Sequence, residues 1–150
     1  MPVELGTQFQ ARIAVAAARL QTVSEAQSAE RSGAPGWTRK QVLGHLLDSA
    51  ANNHQRFVRG ALYGAYAGPG YDADRWVEIH DYANWSWDEL LRSWNDRNAV
   101  LSRVVARVPE SALEEPCRIG DDQPVTLRFV ITDYLRHLDH HVEQITAGLS

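Results

Sequence analysis

The 150-residue sequence predicts an all-α fold, one four-helix bundle spanning residues 1–150. Three observations carry this expectation. Four segments repeat apolar residues three and four apart, the period of a helix with one buried face. Two of them open with a capping box preceded by a tryptophan. The links between them suit a bundle with one long crossover.

The first helix is predicted from Val3 to Arg31, because Leu5, Phe9, Ile13, Ala16, Leu20 and Val23 form one stripe. It should stop at Ser32-Gly33-Ala34-Pro35-Gly36, where Gly and Pro break helices. The second starts at Thr38, with Gln41 three residues on as its capping box and Trp37 poised to staple Val42. Val42, Leu46, Ala50, Phe57 and Val58 continue one side, which fades near Gly60. The third repeats the device with Ser86 and Glu89, flanked by Trp85 and Leu90. Trp94, Leu101, Val105 and Val108 follow, and Pro109 ends the helix. The fourth is predicted from Thr126 to Ala147, with Leu127, Val130, Ile131, Tyr134, Leu138, His141 and Ile145 inward and Gly148 as its stop.

The first two helices, joined by about seven residues, should be antiparallel neighbours. Gly60 to Trp85 separates the second from the third. A 20-residue helix is roughly 30 Å long, and about 25 extended residues reach well beyond that. The link can therefore run back along the bundle and leave helices two and three parallel, an up-down-down-up arrangement. Its tyrosines and tryptophans, Tyr63 to Trp85, suit either a wall over the bundle or simple loop anchoring. Arg118-Ile119-Gly120-Asp121-Asp122-Gln123 predicts a small hairpin before the fourth helix.

Composition narrows the function. Fifteen Lys+Arg against nineteen Asp+Glu give a net charge of −4. Such a chain lacks the basic face that nucleic-acid phosphates or anionic lipid require. The apolar run Ile13 to Ala18 is far short of the about 20 residues a membrane span needs. Glu4 near the start, with no apolar core after it, predicts no secretory leader. The single Cys117 excludes an internal disulfide and a multi-cysteine zinc site. A cytoplasmic protein is expected.

The chemistry lies in the histidines. His137 and His141 are four apart, so they share one helical face with Cβ atoms about 5–6 Å apart. At that separation two imidazoles can converge on one metal at about 2.0–2.1 Å each. Val130, Tyr134 and Ile145 lie on the same side, which faces the bundle interior. His140 points about 100° away, with Arg136 and Glu143, toward solvent. His45, midway along the second helix beside the Val42-Leu46-Ser49-Asn53 face, is the candidate third ligand. Three neutral imidazoles suit a divalent transition metal, zinc or nickel foremost, over Mg or Ca. They also leave positions open for water or substrate, as in catalytic sites. The rival is a structural bundle whose histidines are incidental.

Other polar residues carry two readings. Asp133, four before His137, either accepts its free N–H and so orients the ring or is a solvated surface acid. Asn52, Asn53 and Arg56, beyond His45, are substrate-binding candidates or an ordinary polar edge. Gln144 either lines the pocket or is simply exposed, His54 and His80 are read as non-ligands, and Cys117 as structural.

Two motifs carry a family likeness. Trp37-Thr38, followed by His45 and then Asp48-Ser49, resembles the opening of helix two in DinB-like proteins, with the YfiT-type metal-dependent hydrolases as the nearest branch. His137, His140-His141 and Gln144-Ile145 resemble that family's helix-four signature. Tyr71-Asp72-Ala73-Asp74-Arg75-Trp76 and Thr126-Leu127-Arg128 are also similar, so the likeness runs from Gly36 to Ile145. The resemblance implies an up-down-down-up bundle with a metal on His45, His137 and His141, and His140 not ligating. It implies a substrate or low-molecular-weight thiol docked at the open side of the metal, and a chain that can pair as a homodimer. Characterised members include thiol S-transferases and a mycothiol-dependent isomerase. The family name refers to DNA-damage induction and does not imply DNA binding. The expected function is thus a metal-dependent transferase or hydrolase activating a thiol or water. The alternative is a non-catalytic metal- or ligand-binding bundle.

Overall fold

A computed structural model describes residues 2–32 and 36–149. Along the chain it places α1 (Pro2–Leu20), the single turn α2 (Glu25–Ser28), α3 (Arg39–Tyr63), β1 (Tyr66–Gly68), α4 (Ala73–His80) with a 3-10 turn at Tyr82–Asn84, α5 (Trp87–Arg107), the single turn α6 (Glu110–Leu113), β2 (Pro116–Ile119), β3 (Val125–Thr126) and α7 (Leu127–Thr146).

The capping boxes form as the sequence predicts. Thr38 Oγ1 accepts from Gln41 N while Gln41 Oε1 accepts from Thr38 N, and Ser86 with Glu89 does the same for α5. Thr126 caps α7 by accepting from Phe129 N at 3.0 Å. The α3 helix continues past Gly60 and closes at Gly64, whose φ of +73° a side chain would strain.

The first helix is shorter than its apolar stripe suggested. It stops at Leu20, because Ser24 and Gln27 build a third capping box that restarts the chain as α2. An extended N-cap residue at ψ 164° cannot continue α1. Val23 nevertheless stays buried, so the stripe reads the core correctly and the helix end incorrectly. The predicted Gly-Pro stop at residues 33–35 lies outside the described residues.

Cross-helix contacts fix the directions. Arg12 pairs with Asp139, and Arg19 donates to Thr146 at 2.6 Å, so α1 and α7 run parallel. Trp87 Nε1 donates to Leu20 O at 3.2 Å while Gly6 abuts Ala106, so α1 and α5 are antiparallel. Arg39 Nε donates to Ile145 O at 2.6 Å while Gly60 abuts Leu127, so α3 and α7 are antiparallel. The order is up-down-down-up. However, α5 and α7 flank α1, and α3 lies diagonally across from it. The expected α1–α3 neighbourhood fails, and the link between them carries α2, which packs against both α3 and α5.

Phe9, Phe57 and Tyr134 pack ring to ring in the centre. The Tyr134 hydroxyl donates to Asn98 Oδ1 at 2.5 Å, and Asn98 donates to Trp94 O at 2.9 Å, so these buried polar groups are satisfied. The predicted hairpin forms as β2 and β3, turning near Gly120 at φ +59°. Unforeseen is β1, which pairs parallel to β2 with Tyr66 opposite Cys117 and makes a three-stranded sheet. This sheet closes one side of the α3–α7 interface. The crossover is pinned by Tyr82, whose hydroxyl donates to buried Asp48 at 2.7 Å and whose ring fills the space a Cβ at Gly44 would occupy. No helix among the described residues is long and apolar enough to cross a membrane.

Candidate metal centre

Because Thr38 fixes where α3 begins, its second turn presents His45 toward α7. There His137 and His141 stand one turn apart on the facing side. Their Nε2 atoms converge: His45 to His137 is 3.2 Å, and His141 to His137 is 3.1 Å. With ligand bonds of about 2.0–2.1 Å, such edges subtend about 100° at a common centre, between octahedral and tetrahedral values. The three are the one His/Cys/Asp/Glu group of this kind among the described residues.

Hydrogen bonding alone does not explain the cluster. An imidazole nitrogen carries either one proton or one lone pair. His137 Nε2 faces two other ring nitrogens at once, which one N–H can bridge only poorly. A shared cation suits three convergent lone pairs, and the donor set fits a divalent transition ion.

The electrostatics keep those lone pairs available. Burial, reinforced by the neighbouring imidazoles, holds His45 down at about 3 and His137 at about 4. Burial also lowers His141, opposed by its bond to Gln144. All three rings are therefore neutral near pH 7. Gln144 Oε1 lies 2.8 Å from His141 Nδ1, so it accepts that proton and leaves Nε2 free to bind. Gln144 is half-buried and engaged with His141, which decides between its two readings against simple exposure. Its signal was the i+3 spacing from His141. Trp37, expected to staple Val42, lies over His45 with ring centroids 5.1 Å apart.

The remaining candidates separate. His140 is exposed on the outer side, as expected. Asp133 forms no hydrogen bond to His137; its Oδ1 pairs with Arg136, and it lies near enough to raise the His137 pKa. A cavity of about 180 Å³ extends from His137 between α3, α7 and the sheet, and Ser49, Asn53, Arg56 and Tyr71 line it. Asn52 opens instead to a neighbouring cleft with Arg59 and Tyr66, its amide tied to Asp48 O at 2.8 Å. His80 lies 3.3 Å from Asp48, away from the imidazole cluster. Cys117 is buried in β2, and burial raises its thiol pKa, consistent with an inert residue.

Comparison with known proteins follows the same lines. A family model described as the DinB superfamily matches residues 8–145. YfiT of Bacillus subtilis (strain 168), named as a candidate metal-dependent hydrolase, is 25% identical over 131 residues, covering 87% of this chain and 72% of YfiT. The solved YfiT structure, described as an unusual four-helix bundle, matches with a TM-score of 0.82 at 21% identity, over 94% of this chain and 83% of that one. The crystal structure of a mycothiol-dependent maleylpyruvate isomerase also matches with a TM-score of 0.82, at 16% identity and over 99% of this chain. The chain spans only 62% of the isomerase's length. At these identities the structural matches speak to the fold.

Proposed function

The chain belongs to the DinB superfamily, and on that premise we propose that it is a metal-dependent enzyme acting on a small molecule. His45, His137 and His141 would hold one divalent transition ion, zinc or nickel. The single observation that carries the reading is the convergence of three imidazole nitrogens, one from each histidine, within 4.8 Å of one another.

Such an ion, when bound, is a Lewis acid that lowers the pKa of a low-molecular-weight thiol or a water at its open side. The chain's own residues prepare the place. Gln144 holds the His141 tautomer. Trp37 covers the His45 ring and limits water there. The cavity beside His137 is below the about 300 Å³ typical for drug-sized ligands, so it admits a small molecule or one end of a larger one. Polar Ser49 and Asn53 face apolar Ile119 and Val130 across it, a lining that orients a mixed ligand.

Two measurements test this. Elemental analysis of the purified protein should find one divalent transition ion per chain. A panel of thiols with electrophiles, and of esters with water, should then give turnover that a chelator abolishes. Metal-loaded protein with no turnover on either panel would favour a non-catalytic metal- or ligand-binding bundle. Thiol-dependent turnover would make it a transferase, and thiol-independent turnover a hydrolase.

A further inference from the structure

Arg56 is the anomaly of the cavity. Its guanidinium lies half-buried with its Cζ 6.0 Å from the Tyr71 ring centroid. Burial lowers its pKa, and the groups that oppose this are Tyr71, Tyr66 and Cys117, none of them a carboxylate. No ion pair of Arg56 occurs among the described residues. Its protein hydrogen bonds are two long ones, each 3.4 Å, to Asn53 Oδ1 and Pro69 O. A guanidinium has five N–H donors in a rigid fork that matches a carboxylate. The two buried Lys/Arg cations among the described residues are satisfied: Arg39 donates to the carbonyls of Ile145, Gln27 and Ala147, and Lys40 pairs with Glu25.

Position relates Arg56 to the histidine cluster. The antiparallel register that sets Gly60 against Leu127 and His45 against His137 places Arg56 near the level of Val130. That is seven residues, or about 10 Å, along the axis from His137, and both Arg56 and His137 line the same cavity. The one carboxylate in the lining, Asp133, pairs with Arg136 through Oδ1 and forms no ion pair with Arg56.

We propose that Arg56, flanked by Asn53 and Tyr71, anchors a carboxylate of the small molecule that reacts at the histidine cluster, so that this molecule is an anion. The proposal deepens the metal-enzyme reading and rests on it only for what happens at the other end of the cavity. The carboxylate belongs either to the thiol or to the molecule that the activated thiol or water attacks.

The test is a binding measurement on folded, full-length protein. Metal is first stripped with uncharged 1,10-phenanthroline, and butyrate and butyramide are titrated by calorimetry. Butyrate should bind and butyramide should bind at least tenfold more weakly. Arg56→Met should lose at least tenfold for butyrate, and Arg56→Lys should retain part of it. Equal binding of acid and amide, or butyrate affinity unchanged in both variants, overturns the proposal. Thermal unfolding reports whether Arg56→Met folds; if it does not, Arg56→Lys carries the test. A second arm compares 3-mercaptopropionate with 2-mercaptoethanol on metal-loaded protein. An Arg56-dependent tenfold preference for the acid assigns the carboxylate to the thiol, and butyrate binding without that preference assigns it to the molecule attacked. Metal content is measured throughout. Arg56-dependent butyrate binding in a protein that takes up no metal would end the enzyme reading and leave the anion site standing.

Discussion

Nε2 of His137 lies 3.2 Å from Nε2 of His45, ninety-two positions earlier in the chain, and 3.1 Å from that of His141, one turn later. The α3–α7 interface thus concentrates lone pairs where it would be cheaper to place leucines. The arrangement costs least with a cation at its centre. Elemental analysis should show that the His137→Ala/His141→Ala double variant loses the divalent ion while its helical circular-dichroism signal stays. Wild-type metal content in that variant would end the assignment.

Gln144 acts on the ion through His141. By accepting the Nδ1 proton it fixes the ring so that Nε2 faces the cluster. Substituting Gln144→Leu should weaken metal affinity by about 10–100-fold, the usual loss when such a partner is removed. Competition against a chromophoric chelator measures this. Gln144→Glu, which keeps the acceptor, should hold affinity near wild type; equal losses in both variants would refute the orienting role.

Much of this was legible because it is local. The caps of α3 and α5 need only three-residue spacings, and the His137–His141 pair needs only the helical period. Those two rules place the ligands to within a rotation, and the Thr38 cap supplies the rotation for His45. What was not legible is non-local. The parallel pairing of Tyr66 with Cys117 joins segments some fifty residues apart, and no hydrophobic alternation in three residues announces it. The diagonal placement of α1 and α3 is not set by helix periodicity. Ser24 and Gln27 did carry a local signal, but an unbroken apolar stripe masked it. Gln144 reads equally well as solvated until the His141 ring is seen to face it.

Acid should destabilise the metal-free protein. The folded-state pKa values of His45 and His137 are lowered, to about 3 and about 4, from an ordinary 6.5. Below pH 6.5 the unfolded chain takes up protons that the folded chain refuses, so stability falls with pH. The slope approaches about 1.4 kcal/mol per pH unit for each histidine at full effect. Asp48 opposes this, because burial raises its pKa and the folded state then holds its proton more firmly. Urea unfolding of metal-free protein at pH 7, 6 and 5 should show a net decline, and His137→Gln should flatten it. Stability constant or rising from pH 7 to 5 would contradict the burial-driven shift.

The Asp48–Tyr82 bond should be worth most when Asp48 is ionised. Asp48 is 1% exposed; its Oδ1 accepts from Tyr82, with His80 Nδ1 at 3.3 Å, and its Oδ2 has no partner. Tyr82→Phe keeps the ring seated against Gly44 but removes the hydroxyl that donates to Asp48, leaving a buried carboxylate short of hydrogen bonds. The expected cost is about 1–3 kcal/mol at pH 7. Since Tyr82 lowers the Asp48 pKa, its loss raises that pKa further, and the deficit shrinks as acid protonates the carboxyl in both proteins. In an Asp48→Asn background the same Tyr82→Phe change should cost less, because the two sites are coupled. Metal content should stay at the wild-type level, as the pair secures the crossover and not the imidazoles. Urea unfolding of the four proteins closes the cycle, and a Tyr82→Phe variant as stable as wild type at pH 7 would remove the crossover's anchor from the account.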